Sequence, residues 1–349
     1  MTAVVYRGIN DLRVETVPVP RIRSDELLVQ VAVCGVCPTD IKKIQYGTVA
    51  PPRIFGHETA GIIVRVGARV RGFREGERVA VHHHVPCRQC HYCLHRAYAQ
   101  CATYRRTGIT AGFEPAGGGY AQYVRVMPFV LPGVVKIPQK NSLVEGAMLE
   151  PVNTVLKAVR RLALLPGDRV WVAGQGPIGL MFTRMLALKG VKVLATDLME
   201  PRLKLAAAWG AAKTARGDDD DLALKVHRWT RGLGLDAAVL AVPVDRLVKQ
   251  AQGLVRGGGQ VLLFAHTVRG HDVPVDLGCL CVDEKDLIGS YSSDVTLQGA
   301  VARLVFGRKL DVRALISHEL PLERTDEAVK LAANPSIDSM KIVVNQWLE

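Results

Sequence analysis

The sequence lacks long apolar runs: no stretch offers the roughly 18 uninterrupted apolar residues that a membrane helix needs. Its N-terminus also lacks the basic region, apolar run and cleavage site of a secretory signal. These two absences predict a cytoplasmic protein without a membrane partner. Collagen-like and coiled-coil compositions are absent as well, and no internal repeat is visible.

Aromatic residues and clustered charge are also scarce. Aromatics make up 5% of the chain, and its 45 Lys and Arg residues, against 33 Asp and Glu, are scattered along the sequence. The net charge of +12 would attract phosphates, but a nucleic-acid site needs that charge gathered on one surface. The scatter favours a diffuse, solvated positive surface and no nucleic-acid partner.

The length and texture of the chain predict an α/β protein of two domains. A chain of 349 residues is longer than one core usually supports. Residues 1–145 carry short apolar runs typical of an all-β unit. Residues 146–290 alternate strand-like and helical segments, which indicates βαβ units and a doubly wound parallel sheet. The last segment, 291–349, ends in an apolar run that could return to the first domain.

Four of the eight cysteines lie within fifteen residues, in the pattern C-x-x-C-x-x-C-x7-C. In a chain without a secretory signal, this density favours metal binding over disulfides. Four sulfur ligands complete a tetrahedral zinc shell and leave no open position. The sequence therefore predicts a structural zinc in a lobe spanning about 86–102, with the ligands Cys87, Cys90, Cys93 and Cys101.

A histidine tract precedes this lobe at His82, His83 and His84. Side chains of adjacent strand residues point to opposite faces of a sheet. If the tract continues the preceding apolar strand, the three imidazoles do not share a site.

A second, open metal site is predicted from residues that are far apart in the sequence. Cys37 follows Gly35-Val36, His57 and Glu58 follow Gly56, and Glu150 precedes a proline. A cysteine, a histidine and one or two carboxylates can hold zinc with one position free for water or substrate. Singly, each residue could be a packed thiol, a satisfied polar group or a solvated acid, so the hypothesis depends on their combination.

A glycine fingerprint, Gly174-Gln175-Gly176-Pro177-Ile178-Gly179, follows a strand-like run and opens a helical segment. Its glycines permit a tight turn and bring a pyrophosphate close to a helix N-terminus. Asp197 ends the next strand-like run, where a carboxylate binds ribose hydroxyls and repels a 2′-phosphate. This predicts NAD, although Arg202 could soften the repulsion and keeps NADP as the alternative. The predicted cofactor residues are Gly174, Gly176, Pro177, Ile178, Gly179, Asp197 and Arg202.

Taken in order, Cys37, Gly56-His57-Glu58, the cysteine lobe, Glu150-Pro151 and the glycine fingerprint resemble the zinc-containing medium-chain dehydrogenases. That family includes alcohol, sorbitol and threonine dehydrogenases, and the resemblance spans essentially the whole chain. It implies a GroES-like catalytic domain built from both chain ends, a Rossmann domain between them, two zinc ions per chain and a homo-oligomer, either a dimer or a tetramer.

The resemblance also implies residue roles. Cys37, His57 and Glu150 match the catalytic zinc ligands, and Glu58 matches a carboxylate that can approach the metal during ligand exchange. Thr39 matches the hydroxyl that takes the substrate proton. Asp40 follows the pattern of a carboxylate that orients the histidine ligand.

The implied reaction is hydride transfer between a secondary alcohol and NAD. Glu150-Pro151 favours a polyol, sugar, cyclitol or amino-sugar alcohol as the substrate. Threonine or a simple alcohol is the alternative within the family. A non-catalytic NAD-binding protein is the alternative from another class, and the Cys37/His57 pair together with the cysteine lobe argues against it.

Overall fold

Two units make up the chain in a computed structural model, which describes residues 1–82, 84–105, 117–265 and 270–348. The first unit contains Met1–Asn153 and Ser293–Glu349, and the second contains Thr154–Ser292. The predicted boundaries, after residues 145 and 290, differ from these. The division after Asn153 falls within the helix Leu149–Val159.

Strands dominate the N-terminal part of the first unit. They are β1 (Thr2–Gly8), β2 (Asp11–Thr16), β3 (Leu27–Gly35), β4 (Glu58–Val66), β5 (Arg78–Val81), β6 (Tyr123–Val126) and β7 (Val134–Lys136). The helices here are α1 (Pro38–Tyr46), α2 (His91–Leu94), α3 (Ala102–Arg105), α4 (Leu143–Ala147) and α5 (Leu149–Val159).

The second unit alternates strands and helices. Its strands are β8 (Arg169–Ala173), β9 (Lys192–Asp197), β10 (Lys213–Arg216), β11 (Leu235–Leu240), β12 (Val255–Leu263) and β13 (Asp286–Gly289). Its helices are α6 (Pro177–Leu188), α7 (Glu200–Ala208), α8 (Leu222–Thr230), α9 (Arg246–Leu254) and α10 (Leu277–Val282).

The six strands of the second unit form one parallel sheet in the order β10-β9-β8-β11-β12-β13. Numbered within the unit, this is 3-2-1-4-5-6, the doubly wound Rossmann order. The central strands are buried on both faces and therefore read as continuous apolar runs. The predicted Rossmann sheet is confirmed.

The C-terminal segment adds α11 (Gln298–Phe306), β14 (Ile316–Leu320), α12 (Thr325–Ala333) and β15 (Lys341–Asn345) to the first unit. The large sheet of this unit has the order β14-β15-β3-β4-β5-β7, and β6 also pairs with β3. Because β15 lies antiparallel to β3, residues from the two ends of the chain become neighbours. The GroES-like class predicted for this unit is confirmed.

Strand β3 lies at the centre of the first unit and packs into two cores. Leu27, Val29 and Val31 belong to one cluster of buried side chains, and Cys34 belongs to the other. Cys34 is fully buried, and burial raises its pKa to about 12, so this cysteine is a packing residue. The end of β3 is thus a fixed point from which the chain turns into α1.

None of the helices in the described ranges combines the length and hydropathy needed to cross a bilayer.

One buried ion pair of the first unit gives a stability prediction. Glu26 is 1% exposed and accepts two hydrogen bonds from Arg125, at 2.7 and 2.5 Å, and one from the Arg23 amide at 2.7 Å. Replacing Arg125 with Met leaves a buried carboxylate without its cation, so we expect the free energy of unfolding to fall by about 3 kcal/mol in urea denaturation.

The matched control is Arg324→Met, which breaks the exposed pair with Glu327 and should change stability little. Equal losses in the two variants would contradict the role of burial.

Candidate metal and nucleotide sites

Three predicted ligands come together where β3 ends and β4 begins. Cys37 is the residue that precedes α1, and its thiol makes no capping bond to the helix. His57 immediately precedes β4, and Glu58 is its first residue. Ligand atoms of these three side chains all lie within 4.8 Å of one another. The group offers one sulfur, one nitrogen and one oxygen, which suits zinc with a position left open.

Asp40 holds the imidazole of His57 in place. Its Oδ2 lies 2.9 Å from His57 Nδ1 and accepts a hydrogen bond from the Gly56 amide at 3.3 Å. Burial lowers the pKa of His57, but the negative charges of Asp40 and Cys37 outweigh burial and raise it well above the usual value. Because Nδ1 faces the carboxylate, Nε2 is the nitrogen that can bind a metal. The expected orienting role of Asp40 agrees with this geometry.

Glu58 is held by a residue that sequence analysis missed. Lys341, the first residue of β15, is 5% exposed, and its Nζ lies 2.8 Å from Glu58 Oε1 and 2.5 Å from Oε2. The same ammonium donates to the Val36 carbonyl at 2.8 Å. A Cβ at Gly35 would lie 1.8 Å from Glu58 Oε2, so only glycine leaves room for this carboxylate. The sequence signal that could have identified Lys341 is its position at the start of the apolar strand Lys341–Asn345.

The fourth predicted ligand, Glu150, lies outside the three-residue group. It is buried on α5, and its Oε1 is 3.6 Å from His84 Nδ1. It is nevertheless near Glu58: burial raises the pKa of Glu58, Lys341 lowers it, and the charge of Glu150 raises it further. The structure therefore brings Cys37, His57 and Glu58 together and places Glu150 beside them.

The structure describes two members of the histidine tract, His82 and His84; His83 lies outside the described residues. Strand β5 ends at Val81, so His82 and His84 do not follow a pleat. Their ring centroids are 6.0 Å apart, and those of His84 and His57 are 6.1 Å apart. His84 is thus a neighbour of the metal-ligand group, a position that the sequence did not indicate.

A polar chain connects these histidines within the first unit. The ring of His84 stacks on Tyr104 with centroids 4.5 Å apart and planes inclined by 16°. The Tyr104 hydroxyl lies 3.5 Å from Ser293 Oγ, which is 3.1 Å from His82 Nε2. Both imidazoles are thereby fixed in orientation.

Thr39 lies in the first turn of α1 and is half-buried. Lys42 follows one helical turn later on the same face, and burial lowers the pKa of its amine. A hydroxyl and a partly buried amine therefore lie in sequence along one side of the helix that starts at Cys37.

The four cysteines of the lobe converge. The distance between the sulfur atoms is 3.5 Å for Cys90 and Cys93, 3.7 Å for Cys87 and Cys101, and 3.9 Å for Cys87 and Cys93. A tetrahedron with metal–sulfur bonds of about 2.3 Å has edges of about 3.8 Å. All four are free thiols, so this spacing fits a shared metal ion.

Backbone hydrogen bonds favour the thiolate at one cysteine of the lobe. Burial raises the pKa of Cys101, but backbone hydrogen bonds from Cys87 and Tyr104 outweigh burial and lower it to about 6. The thiolate is the form that binds zinc. His91 and His95 are exposed and do not belong to the four-sulfur group.

The glycine fingerprint of the second unit adopts a tight strand-to-helix turn. Gly174 has φ 87°, and a Cβ there would lie 2.3 Å from Val242. A Cβ at Gly179 would lie 1.7 Å from the Gly174 carbonyl oxygen, so this glycine lets α6 pack against the turn. Gly176 is the N-cap of α6. A Cβ added there would have only one neighbour within 4 Å, the Arg202 guanidinium at 4.0 Å. The space beside Gly176 at the helix N-terminus is where a pyrophosphate fits.

Asp197 is fixed at the end of β9. Its Oδ2 accepts a hydrogen bond from the Gln175 amide at 2.6 Å, and its Oδ1 accepts one from the Met199 amide at 2.9 Å. Arg202 Nη1 lies 4.0 Å from Oδ2, close enough to reduce the negative potential of the carboxylate. Asp197, Arg202 and the three glycines therefore surround one end of the parallel sheet. Pro177 and Ile178 form the first turn of α6.

Two family models match the chain. The alcohol dehydrogenase GroES-like domain matches residues 23–139, and the zinc-binding dehydrogenase domain matches residues 177–305. The first match contains Cys37, His57, Glu58 and the cysteine lobe, and the second begins within the glycine fingerprint.

Similar proteins cover nearly the whole chain. Sorbitol dehydrogenase of Bombyx mori is 29% identical, over 98% of this chain and 98% of the relative. The structure of galactitol-1-phosphate dehydrogenase from Escherichia coli is 26% identical, with a TM-score of 0.85 over 99% of this chain and 100% of the other. An NADP-bound crystal structure from Sinorhizobium meliloti 1021 is 26% identical, with a TM-score of 0.88 over 99% and 98% of the two chains.

His82 gives a prediction about pH. Burial lowers its pKa from 6.5 to about 4, so the unfolded chain takes up this proton first as the pH falls. The stability linked to neutral His82 is complete above pH 6.5 and is lost as the pH falls towards 4. We expect this residue to lower the free energy of unfolding by about 2 kcal/mol between pH 7 and pH 5.

Urea denaturation of the His82→Gln variant at both pH values should show a correspondingly weaker pH dependence than the parent protein. The exposed His227, replaced in the same way, should leave the dependence unchanged. Identical pH dependence in the parent and the His82→Gln variant would contradict this interpretation.

Proposed function

Because the chain belongs to the zinc-type medium-chain dehydrogenase family and is a zinc alcohol dehydrogenase acting on CH–OH donors, we propose that it transfers a hydride between a secondary alcohol of the polyol class and NAD. The observation that carries this proposal is the convergence of Cys37, His57 and Glu58 within 4.8 Å of one another. This donor set has the composition of a catalytic zinc site, not of a closed structural one.

Cys37, His57 and Glu58 would hold the catalytic zinc, and Glu150 would be the nearby carboxylate available for ligand exchange. This reverses the two glutamates relative to the sequence-based assignment, because Glu58 is in the group and Glu150 faces His84. When bound, zinc supplies a Lewis acid for the alcohol oxygen. Asp40 keeps Nε2 of His57 turned towards the ligands, and Lys341 keeps the Glu58 carboxylate aligned with them.

Thr39 would take the proton of the substrate hydroxyl, since it lies two residues after Cys37 on the half-buried first turn of α1. Lys42, one turn further on, is the next group able to carry a proton along that face. Burial lowers the pKa of Lys42, which makes release of a proton from its ammonium easier than from an ordinary lysine.

The second unit would bind the dinucleotide through Gly174, Gly176, Gly179 and Asp197. NAD is the proposed cofactor because the carboxylate of Asp197 repels a 2′-phosphate. Arg202, 4.0 Å from that carboxylate, and the NADP-bound relative are the observations that favour NADP. Both cofactors therefore belong in the assay.

The four-cysteine lobe would hold a second, structural zinc, which gives two zinc ions per chain. Its sulfur spacing of 3.5–3.9 Å supports tetrahedral coordination without an open position. The substrate class rests on the relatives that are named for sorbitol and galactitol 1-phosphate.

The assay follows reduction of NAD and NADP by absorbance with polyols, sugars, cyclitols, amino-sugar alcohols, threonine and simple secondary alcohols. We expect turnover of a polyol-class substrate with NAD, lost after chelation and restored by zinc. Cys37→Ser should lower kcat at least 1000-fold, since it removes a metal ligand, while NAD binding measured by fluorescence stays within twofold. Turnover retained by this variant would overturn the metal role of Cys37.

Metal content separates the two proposed zinc sites. The parent protein should contain two zinc ions per chain by elemental analysis, whereas Cys37→Ser and Cys93→Ser should each retain one. Cys37→Ser should keep the parent's thermal stability, and Cys93→Ser should lose stability because its lobe has only three short helical elements of its own. Exposed Cys281→Ser is the control and should retain both ions. A parent protein with a single zinc would contradict the two-site proposal.

A further inference from the structure

A basic groove in the second unit takes no part in the proposed reaction. It has a volume of about 1120 Å³ and is lined by residues of β10, α8 and their flanks. Six of its lining residues are cationic, and two are acidic. The cations are Arg169, Lys213, Arg216, Lys225, Arg228 and Arg231, and the acids are Asp218 and Asp219.

Most of this positive charge is not neutralised inside the groove. Arg216 pairs with Asp218 at 2.8 Å, and Lys225 pairs with Asp219. The other four cations have no acidic partner among the residues that the structure describes; they are Arg169, Lys213, Arg228 and Arg231. Like charges that share a concave surface repel one another and raise the local concentration of anions.

Arg169 is held in the wall of the groove by another lining residue. Its guanidinium lies over the ring of Trp229, 5.8 Å from the centroid. Its Nε is buried and has no hydrogen-bond partner. An arginine packed over an aromatic ring in this way has a fixed position in the wall of the groove.

Arg231 adds a second unusual feature. It follows the last residue of α8 with φ 56°, the left-handed conformation in which glycine is the usual residue. An exposed arginine is not required by this backbone conformation, which glycine adopts with less strain. Its presence extends the basic lining beyond the end of the helix.

We infer that this groove binds a small, multiply charged anion of the phosphate class. Arginine forks match phosphate oxygens, and several separated cations match a ligand with several charges. The volume lies just above the usual range of small-ligand sites, which is about 300–1,000 Å³. The one aromatic ring in the lining, Trp229, is already covered by Arg169, so there is no free platform for stacking the bases of a nucleic acid.

Protection of the sheet edge does not account for the whole groove. Strand β10 is an edge strand, and a lysine on such a strand discourages pairing with other chains. This explains Lys213. Arg169 belongs to the interior strand β8, while Arg228 and Arg231 belong to α8 and its end, so none of these three guards the edge.

The basic end of the groove is separate from the glycine fingerprint. Arg169 is the first residue of β8, and Gly174 follows the last residue, Ala173. At about 3.3 Å per strand residue, the two lie about 16 Å apart along the strand. An anion held by Arg169, Arg228 and Arg231 would therefore not occupy the proposed pyrophosphate position.

The test is isothermal titration of the full-length protein with inorganic tripolyphosphate in the presence of saturating dinucleotide cofactor. We expect saturable binding of one tripolyphosphate per chain. The double variant Arg228→Gln, Arg231→Gln should weaken binding at least tenfold. The control double variant Lys204→Gln, Lys249→Gln removes the same charge from exposed positions of the same unit and should stay within twofold of the parent.

Absence of saturable binding would overturn the proposal. Equal weakening in the two double variants would also overturn it, because net charge alone would then explain the binding. Competition between the cofactor and tripolyphosphate would assign the anion to the glycine fingerprint instead. Tighter binding of a single-stranded oligonucleotide than of tripolyphosphate would replace the small anion with a nucleic acid.

Discussion

The first unit depends on one constraint: its buried carboxylates must each have a partner. Asp40 and Glu58 are almost inaccessible to water, and an isolated carboxylate there would be strongly destabilising. Each faces a nitrogen donor: Asp40 faces the imidazole of His57, and Glu58 faces the ammonium of Lys341. Because the chain itself supplies these partners, the side chains that would bind a metal are aligned by the fold before any metal binds.

This pairing also explains why both ends of the chain contribute to one unit. Strand β15 lies antiparallel to β3, with Val343 opposite Gly35. That register puts Lys341 beside the Val36 carbonyl and against Glu58. Without the C-terminal strand, Glu58 would be a buried acid with no counter-ion. The topology of the sheet therefore supplies the counter-ion that the candidate metal site requires.

Features built from residues close together in the sequence could be predicted, and features that join distant residues could not. The fingerprint at Gly174 predicted its turn, because strand, glycine turn and helix are contiguous, and the spacing of the four lobe cysteines likewise predicted their convergence. Lys341 was not predicted, since its partner is 283 positions away and only the pairing of β15 with β3 joins them. The position of His84 near His57 was not predicted, because the tract was interpreted as a continuation of a strand, whereas β5 ends at Val81.

The basic groove also joins residues that are distant in the sequence, so it could not be predicted from the distribution of charge along the chain. Along the sequence its cations are spread from Arg169 to Arg231, which is why the positive charge reads as diffuse. In the folded unit, β8 and β10 lie on either side of β9, and α8 follows β10, so these cations line one cavity. A parallel sheet brings together residues that are tens of positions apart whenever they occupy matching places on its strands. Scatter of charge in a sequence therefore excludes a local basic motif, but it does not exclude a basic surface made by the fold.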